Sequence, residues 1–302
     1  MAVVDTNPAT PARTGVDPLN DIPASGNRFW RVLLRSPAGV IGLLIVLTLL
    51  IAALFADWIA PFDPLRMGAG KRLLPPNSTH WFGTDEFGRD LFSRVLFGAQ
   101  LTLKIGVIAV TISLAAGLLL GLVAGYAGGW TERILMRLVD VLFSFTEILI
   151  ALAFVAILGP NLTNAMIAVG VSAIPFYARI THSVVLVEKN KPYFEAGQAV
   201  AAGHLRMIFR HLLPNVIPPM VVVATLGVST AILAAAGLSF LGLGAQPPLP
   251  EWGFMLSSGR DLFARAPWIM IFPGLAIAFT VLGFNLLGDG IREALDPRQH
   301  KG

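Results

Sequence analysis

Six long apolar runs, separated by segments that carry most of the charged residues, are the main pattern of this chain. A run of about 20 apolar residues crosses the hydrocarbon of a bilayer as an α-helix. The pattern predicts six transmembrane helices, at 38–56, 100–125, 138–158, 165–187, 216–238 and 267–287. The fold class expected is therefore an all-α polytopic membrane protein.

The polar segments divide the chain into parts. Residues 1–36 are expected to form a tail and 37–57 the first transmembrane helix. Residues 58–98 form a long loop whose amphipathic end, near 88–97, predicts a helix on the membrane surface. Five further helices and a polar loop at 188–215 fall within 99–290, and a second tail follows at 291–302.

Composition supports a membrane protein, since only 13% of the residues are charged, against about 25% in soluble domains. Hydrophobic residues make up 55% of the chain and the mean hydropathy is +0.72. The net charge of +4 is what retention of Lys and Arg on the cytoplasmic side produces, and it predicts no nucleic-acid partner. The absence of Cys excludes disulfides, thiolate metal sites and a Cys nucleophile.

The distribution of Lys and Arg predicts that both termini lie in the cytoplasm. With the N-terminus inside, the inner segments hold 14 of these residues and the outer segments hold 8. Positive residues concentrate on the cytoplasmic side of membrane proteins. The loop at 188–215 is then cytoplasmic, and the loop at 58–98 is periplasmic.

No motif for an enzyme is present in the sequence. H-E-x-x-H and G-x-S-x-G are both missing, and the segment Gly68–Arg72 lacks the glycine spacing and the Ser or Thr of a phosphate-binding loop. We therefore predict no catalytic, cofactor-binding or metal-binding residue in this chain. A membrane-embedded enzyme is an unfavourable interpretation for the same reason.

Small residues recur at intervals of four in the second predicted span. Ser113, Gly117, Gly121 and Gly125 share one helix face, which lets another helix approach closely. The partner helix is expected either in this chain or in another subunit.

Acidic residues in the third predicted span invite two interpretations. Asp140 lies three residues after Arg137, which allows a local ion pair. Glu147 lies about 15 Å along a continuous helix from Arg137, well inside the hydrocarbon. An ionisable residue there either lines a transport pathway and contacts a charged substrate, or packs in the helix bundle.

The cytoplasmic loop holds a polar stretch that resembles a known signature. A helix that starts at Glu195 would place Arg206 and Arg210 on one face, and Pro214 is expected to end the segment. Glu195 and Ala196, with Leu213 and Pro214 farther on, resemble the EAA loop of ABC-importer permeases. The pattern of that family has glycine where this chain has Ala201.

Other motifs narrow the resemblance to the dipeptide/oligopeptide/nickel family, second permease subunit, and most closely its dipeptide permeases. They are Phe82–Asp85 with Gly88–Arg94, Leu243–Pro248 with Glu251–Gly253, and Asn285–Pro297. The resemblance implies a type I ABC-importer permease fold in a bacterial inner membrane. It also implies ATPase coupling through Glu195, Ala196, Gly197, Arg206, Arg210, Leu213 and Pro214.

The resemblance further implies the partners. They are a second homologous permease subunit, two cytoplasmic ATPase subunits that bind Mg-ATP, a periplasmic peptide-binding protein, and membrane lipid. An ion-coupled secondary transporter or channel is the alternative, although inverted repeats and paired intramembrane ionisable groups are not evident. Dipeptide is the favoured substrate, with longer peptides, glutathione, opines, haem and chelated nickel left open.

Overall fold

The computed structural model describes residues 25–199 and 201–295. Across these residues the chain is helical, and its only extended pairing is an isolated bridge between Thr84 and Asp90. The helices are α1 Ser25–Leu33, α2 Pro37–Leu54, α3 Ala56–Ile59, α4 Leu91–Ala127, α5 Gly129–Phe143, α6 Glu147–Leu158, α7 Leu162–Ser172, α8 Ile174–Lys189, α9 Pro192–Ala199, α10 His204–Arg206, α11 Leu213–Phe240, α12 Trp252–Gly259 and α13 Trp268–Leu295. A π-helical turn, Met207–Leu212, precedes α11, and a 3-10 turn, Arg260–Leu262, follows α12.

Five helical segments of the described chain are long and apolar enough to cross a membrane. They are Pro37–Leu54, Leu91–Ala127, Leu162–Lys189, His204–Phe240 and Trp268–Leu295. The pair α5 and α6, bent by 88°, makes a sixth if it counts as one span. The predicted all-helical polytopic fold is confirmed, and the predicted six spans are the upper of these two counts.

The predicted tails lie mostly outside the described residues, which begin at 25 and end at 295. Within them, α1 occupies part of the predicted first tail, and α13 extends into the second. The predicted surface helix near 88–97 is instead the start of α4. Asp90 caps α4 by accepting a 2.8 Å hydrogen bond from the Ser93 amide, so the helix begins at Leu91.

The third predicted span is not one continuous helix. The hydroxyl of Ser144 donates a 2.6 Å hydrogen bond to the Val141 carbonyl, and Thr146 adopts an extended backbone. Hydroxyl side chains that bond to their local backbone compete with helical hydrogen bonding. The stretch from Ser144 to Thr146 therefore ends α5 and turns the chain by 88° into α6, without Pro or Gly.

The small-residue stripe of α4 is a seam inside this chain. A Cβ on Gly121 would lie 2.5 Å from Cβ of Thr181 in α8, and one on Gly125 would lie 2.6 Å from a methyl of Val185. At the other end of the stripe, the Ser113 hydroxyl reaches the Gly170 carbonyl of α7 at 2.9 Å. These contacts place α7 and α8 directly against α4, where bulkier residues would hold them apart.

Candidate functional site

The loop at 188–215 begins on a buried carboxylate at the end of α8. Glu188 is 6% exposed and accepts hydrogen bonds from Lys191 Nζ at 2.6 Å and from the Tyr193 hydroxyl at 2.7 Å. Burial, and then the hydrogen bond to Glu188, raise the pKa of Tyr193, so this phenol remains a donor at neutral pH. The first turn of α9 is thereby fixed to the end of α8.

The predicted single helix running on from Glu195 is wrong, because the chain breaks after α9. Ala201 has a left-handed backbone with φ +52°, and its amide donates to the Gln198 carbonyl at 2.9 Å. Residues with a Cβ adopt this conformation at a cost of about 1–2 kcal/mol, whereas glycine does so freely. The left-handed turn therefore falls where the family pattern has glycine.

The second half of the loop joins the next span without interruption. Helix α10, the π-helical turn and α11 form one segment from His204 to Phe240. Pro214 therefore does not end the segment as predicted, because it follows the π-helical turn, whose wider hydrogen-bonding pattern accommodates a residue without an N–H. The π-helical turn Met207–Leu212 ends two residues before this proline. The Asn215 side chain, one residue after it, donates a hydrogen bond to the His211 carbonyl at 2.6 Å.

The predicted coupling residues are distributed over both arms of this loop. Gly197 is buried under the Met207 side chain, and Leu213 is half-buried. The remaining predicted coupling residues are exposed: Glu195, Ala196, Arg206, Arg210 and Pro214. Two large apolar residues, Leu205 and Phe209, are exposed beside the arginines. The loop therefore presents a mixed apolar and charged surface to the surrounding solution or to a partner.

Polar contacts connect this loop to the end of α4. Lys189 Nζ donates to the carbonyls of Gly125 and Tyr126 at 2.9 and 3.1 Å. The Tyr126 hydroxyl lies 2.7 Å from Nδ1 of His204. A force on the loop is therefore transmitted to α4 as well as to α8 and α11. These contacts were not predictable from the sequence, because their partners lie more than 60 positions apart along the chain.

Glu147 opens α6 directly after the 88° bend, so it does not lie along one helix from Arg137. Its side chain is exposed on this subunit and lines two cavities, of about 130 and 140 Å³. Asp140 pairs with Arg179 of α8, and not with Arg137 as the spacing suggested. Both acidic residues of this region therefore face α8 or open space.

Further charged residues line the same side of the protein. Glu132 of α5 lies 2.8 Å from His182 of α8, and the guanidinium of Arg179 lies 4.3 Å from the ring centre of Phe143. Glu132 and His182 also border an open cavity of about 540 Å³. Within the described residues, no group of three or more His, Asp or Glu side chains is arranged to hold a metal ion.

Comparisons with known proteins assign the class of this chain. Residues 117–301 match the family model described as "binding-protein-dependent transport system inner membrane component". The chain belongs to this family. Residues 26–76 match the N-terminal transmembrane domain of oligopeptide transport permease C, which confirms the resemblance to a second, C-type permease subunit.

Curated relatives match nearly the whole chain. A dipeptide transport system permease protein DppC of Alkalihalophilus pseudofirmus is 45% identical over 89% of this chain and 88% of its own length. A di/tripeptide permease of Pseudomonas aeruginosa is 45% identical over 93% and 95%. A glutathione transport system permease protein GsiD of Escherichia coli is 48% identical over 90% of both chains.

The fold has a counterpart among solved structures. An inward-facing conformation of the MetNI methionine ABC transporter is similar with a TM-score of 0.57 and 20% identity, over 67% of this chain and 97% of that chain. The chain is thus a multi-pass ABC permease of a bacterial inner membrane, and it works with a binding protein and an ATPase. ATP hydrolysis lies in the partner subunits. Because the chain belongs to this family, the alternative interpretation as an ion-coupled secondary transporter or channel is wrong.

Proposed function

We propose that this chain is the permease subunit of an ATP-driven importer that carries dipeptides or other short peptides across the inner membrane. The observation that carries the substrate assignment is the likeness, along about nine-tenths of both chains, to relatives named for dipeptides and di/tripeptides. Glutathione is the second candidate, because relatives named for it are 48% identical. Since glutathione is itself a small peptide, both candidates belong to one substrate class.

The proposed complex pairs this chain with a second, homologous permease subunit. Two ATPase subunits bind Mg-ATP on the cytoplasmic side, and a periplasmic peptide-binding protein delivers substrate from the other side. The excess of Lys and Arg in alternate segments supports cytoplasmic termini and a cytoplasmic loop at 188–215. The exposed charges of this loop then face the ATPases.

The geometry of the loop suits mechanical coupling. Glu195, Arg206 and Arg210 are exposed for contact with an ATPase, while Glu188 and Lys189 fix the base of the loop to α8 and α4. Closure of the ATPases on ATP would move this base together with three spans. Such coupling requires contacts that differ between the inward- and outward-facing states.

The charged face of α5 and α8 supports a pathway on that side of the subunit. Glu132, Asp140, Arg179 and His182 would be costly in contact with lipid, and such residues usually face a water-filled cavity or a partner. We assign this face, together with Glu147, to the pathway shared with the second permease subunit. Alternating access would then open this pathway first to one side and next to the other.

A substrate panel tests the proposed class. The complex of this chain with its partner permease, ATPases and binding protein is reconstituted in proteoliposomes, and ATP hydrolysis and uptake are measured. Dipeptides are expected to stimulate both by about tenfold over the peptide-free rate, since delivery by the binding protein favours the outward-facing state. Stimulation by methionine or chelated nickel, with none by dipeptides or glutathione, would overturn the assignment.

Charge reversal in the loop tests the coupling role. Glu195→Lys and Arg206→Glu are each expected to lower peptide uptake by about a hundredfold, because reversal opposes like charges across a docked interface. The matched controls are Glu293→Lys and Arg292→Glu near the end of α13. Both are expected to take up peptide at the wild-type rate. Co-purification with the ATPases, measured in parallel, should fall only for the loop variants. Wild-type uptake by both loop variants would contradict the docking role.

A further inference from the structure

Five helices meet around the smaller cavity that Glu147 lines. Its walls include Ser113 of α4, Val169 of α7, Tyr177 of α8 and Thr230 of α11, and Glu147 itself opens α6. The volume of about 130 Å³ compares with about 30 Å³ for one molecule of liquid water. The cavity therefore accepts a small polar group with a few attached carbon atoms.

The hydrogen-bonding groups around this cavity are unbalanced towards acceptors. The single proton of the Ser113 hydroxyl is shared between the carbonyls of Ala109 and Gly170, and the Thr230 hydroxyl donates to the Gly227 carbonyl. With their protons engaged, both hydroxyls retain only lone pairs. Glu147, when ionised, also accepts only, and within the described residues it makes no ion pair or side-chain hydrogen bond.

The Tyr177 hydroxyl is a second polar group beside this cavity whose hydrogen-bonding capacity is unused within the described residues. This side chain is 2% exposed, and its oxygen has no hydrogen-bond partner in the part of the chain that the structure describes. A buried hydroxyl left unpaired costs about 1–3 kcal/mol, so such groups are rarely left without a partner. A polar group in the cavity could pair with Tyr177 as donor or as acceptor, whereas at Thr230 it would have to donate.

The chemistry of the lining selects a cation with several N–H donors. A primary ammonium group has three donors and no acceptor, and its charge complements the carboxylate of Glu147. A carboxylate ligand would be repelled by Glu147 and would find few donors. Phe143, Ile150 and Phe176 line the adjoining cavity of about 140 Å³, which Glu147 also borders and which suits an apolar side chain.

We propose that Glu147, Tyr177 and Thr230 form a transient binding site for the N-terminal ammonium group of the transported peptide, with an apolar first side chain in the adjoining cavity. The proposal rests on the proposed peptide pathway. It adds that this permease recognises the free amino group itself, after the binding protein has released the peptide.

Chemical labelling tests the site without transport. The purified complex, with no binding protein, is treated with dicyclohexylcarbodiimide, and labelling is followed by mass spectrometry as the loss of unmodified Glu147. The acylurea product and any amide formed with an added amine are thereby counted together. Phenylalaninamide carries the ammonium group and an apolar side chain, whereas N-acetyl-phenylalaninamide lacks only the ammonium. Saturating phenylalaninamide is expected to slow labelling by about tenfold, as occupancy of a charge-paired site requires. Equal labelling rates with the two probes overturn the inference.

Uptake by variants tests the site during transport. Glu147→Gln is expected to lower uptake of a dipeptide with an apolar first residue by about tenfold, with part of the loss restored in Glu147→Asp. Tyr177→Phe should lower it less, because only a neutral partner is lost. The matched control is Glu293→Gln, expected at the wild-type rate. Uptake by Glu147→Gln equal to wild type overturns the site but leaves the peptide permease intact, whereas a wild-type complex that imports no peptide refutes the proposed function.

Discussion

Gly121→Ala is expected to lower the free energy of unfolding by about 3 kcal/mol, although alanine is the better helix former. The added Cβ would lie 2.5 Å from Cβ of Thr181, 2.6 Å from the Ala178 carbonyl oxygen and 2.8 Å from the His182 amide nitrogen. Two of these three atoms belong to the backbone of α8, so no rotamer change relieves the overlap. Helix α8 must move away from α4 to accommodate the methyl group.

Gly237→Ala in α11 is the matched control for this prediction. No atom lies within 4 Å of a Cβ at Gly237, so the substitution should leave stability unchanged or raise it by up to about 1 kcal/mol. The midpoint of SDS-induced unfolding of the purified permease measures both variants. An equal midpoint for the two variants would show that α4 and α8 do not pack as closely as described. Such a result would also remove the seam that connects the loop at 188–215 to the spans.

The stripe itself was predictable from sequence, but its partner was not. Spacing of four places Ser113, Gly117, Gly121 and Gly125 on one helix face whatever the tertiary structure. Which helix meets that face depends on contacts between residues about 60 positions apart, such as Ser113 with Gly170. Periodicity describes a single element, and the choice between a subunit interface and an internal seam lies beyond it.

Span positions follow from hydropathy, whereas breaks and continuations inside them follow from individual side chains. Apolar length locates the spans because lipid offers no alternative partner for backbone groups. Hydropathy does not register the bend at Ser144–Thr146, where the Ser144 hydroxyl bonds to a backbone carbonyl. It also does not show that Pro214 lies within a continuous helical segment, just after a π-helical turn. The acidic Glu147 after Thr146 is a sequence signal for a helix start that marks the bend.

The two candidate sites differ in how far sequence predicts them. The exposed loop was predictable because its charges cannot lie in lipid, and Glu195, Arg206 and Arg210 are indeed exposed. The cavity beside Glu147 was only half predictable. The sequence indicates Glu147, because an ionisable residue in an apolar run usually belongs to a functional site. It does not indicate the unpaired hydroxyl of Tyr177, because that side chain is buried by helices distant in sequence.

Asp85→Ala is expected to be the most destabilising single substitution in the segment between α3 and α4, at about 3–5 kcal/mol. One oxygen of Asp85 accepts the amides of Phe87 and Arg89, and the other lies 2.6 Å from Nε of Arg89 and 3.6 Å from Nε of Arg94. The side chains of these three charged residues are at most 7% exposed. Removing the carboxylate leaves two guanidinium groups buried without the anion that they share.

The same substitution should also loosen the start of α4. Asp85 closes the turn that leads to Asp90, and Asp90 caps α4 while its other oxygen lies 2.8 Å from His80. Loss of the turn therefore frees the N-terminal end of α4. Hydrogen exchange over residues 85–95 should rise in Asp85→Ala, and the SDS midpoint should fall with it.

A double substitution separates uncompensated charge from lost hydrogen bonds. Arg89→Met added to Asp85→Ala removes one of the two unpaired cations, so the double variant should be more stable than Asp85→Ala alone, by about 1–2 kcal/mol. Asp261→Ala, which removes a carboxylate from an exposed pair with Arg260, should leave the midpoint unchanged. If the second substitution brought no recovery, the cost would lie in the two amides left unpaired and not in buried charge. Equal midpoints for Asp85→Ala and wild type would show that Arg89 and Arg94 are hydrated, and that this motif is not a buried ion cluster.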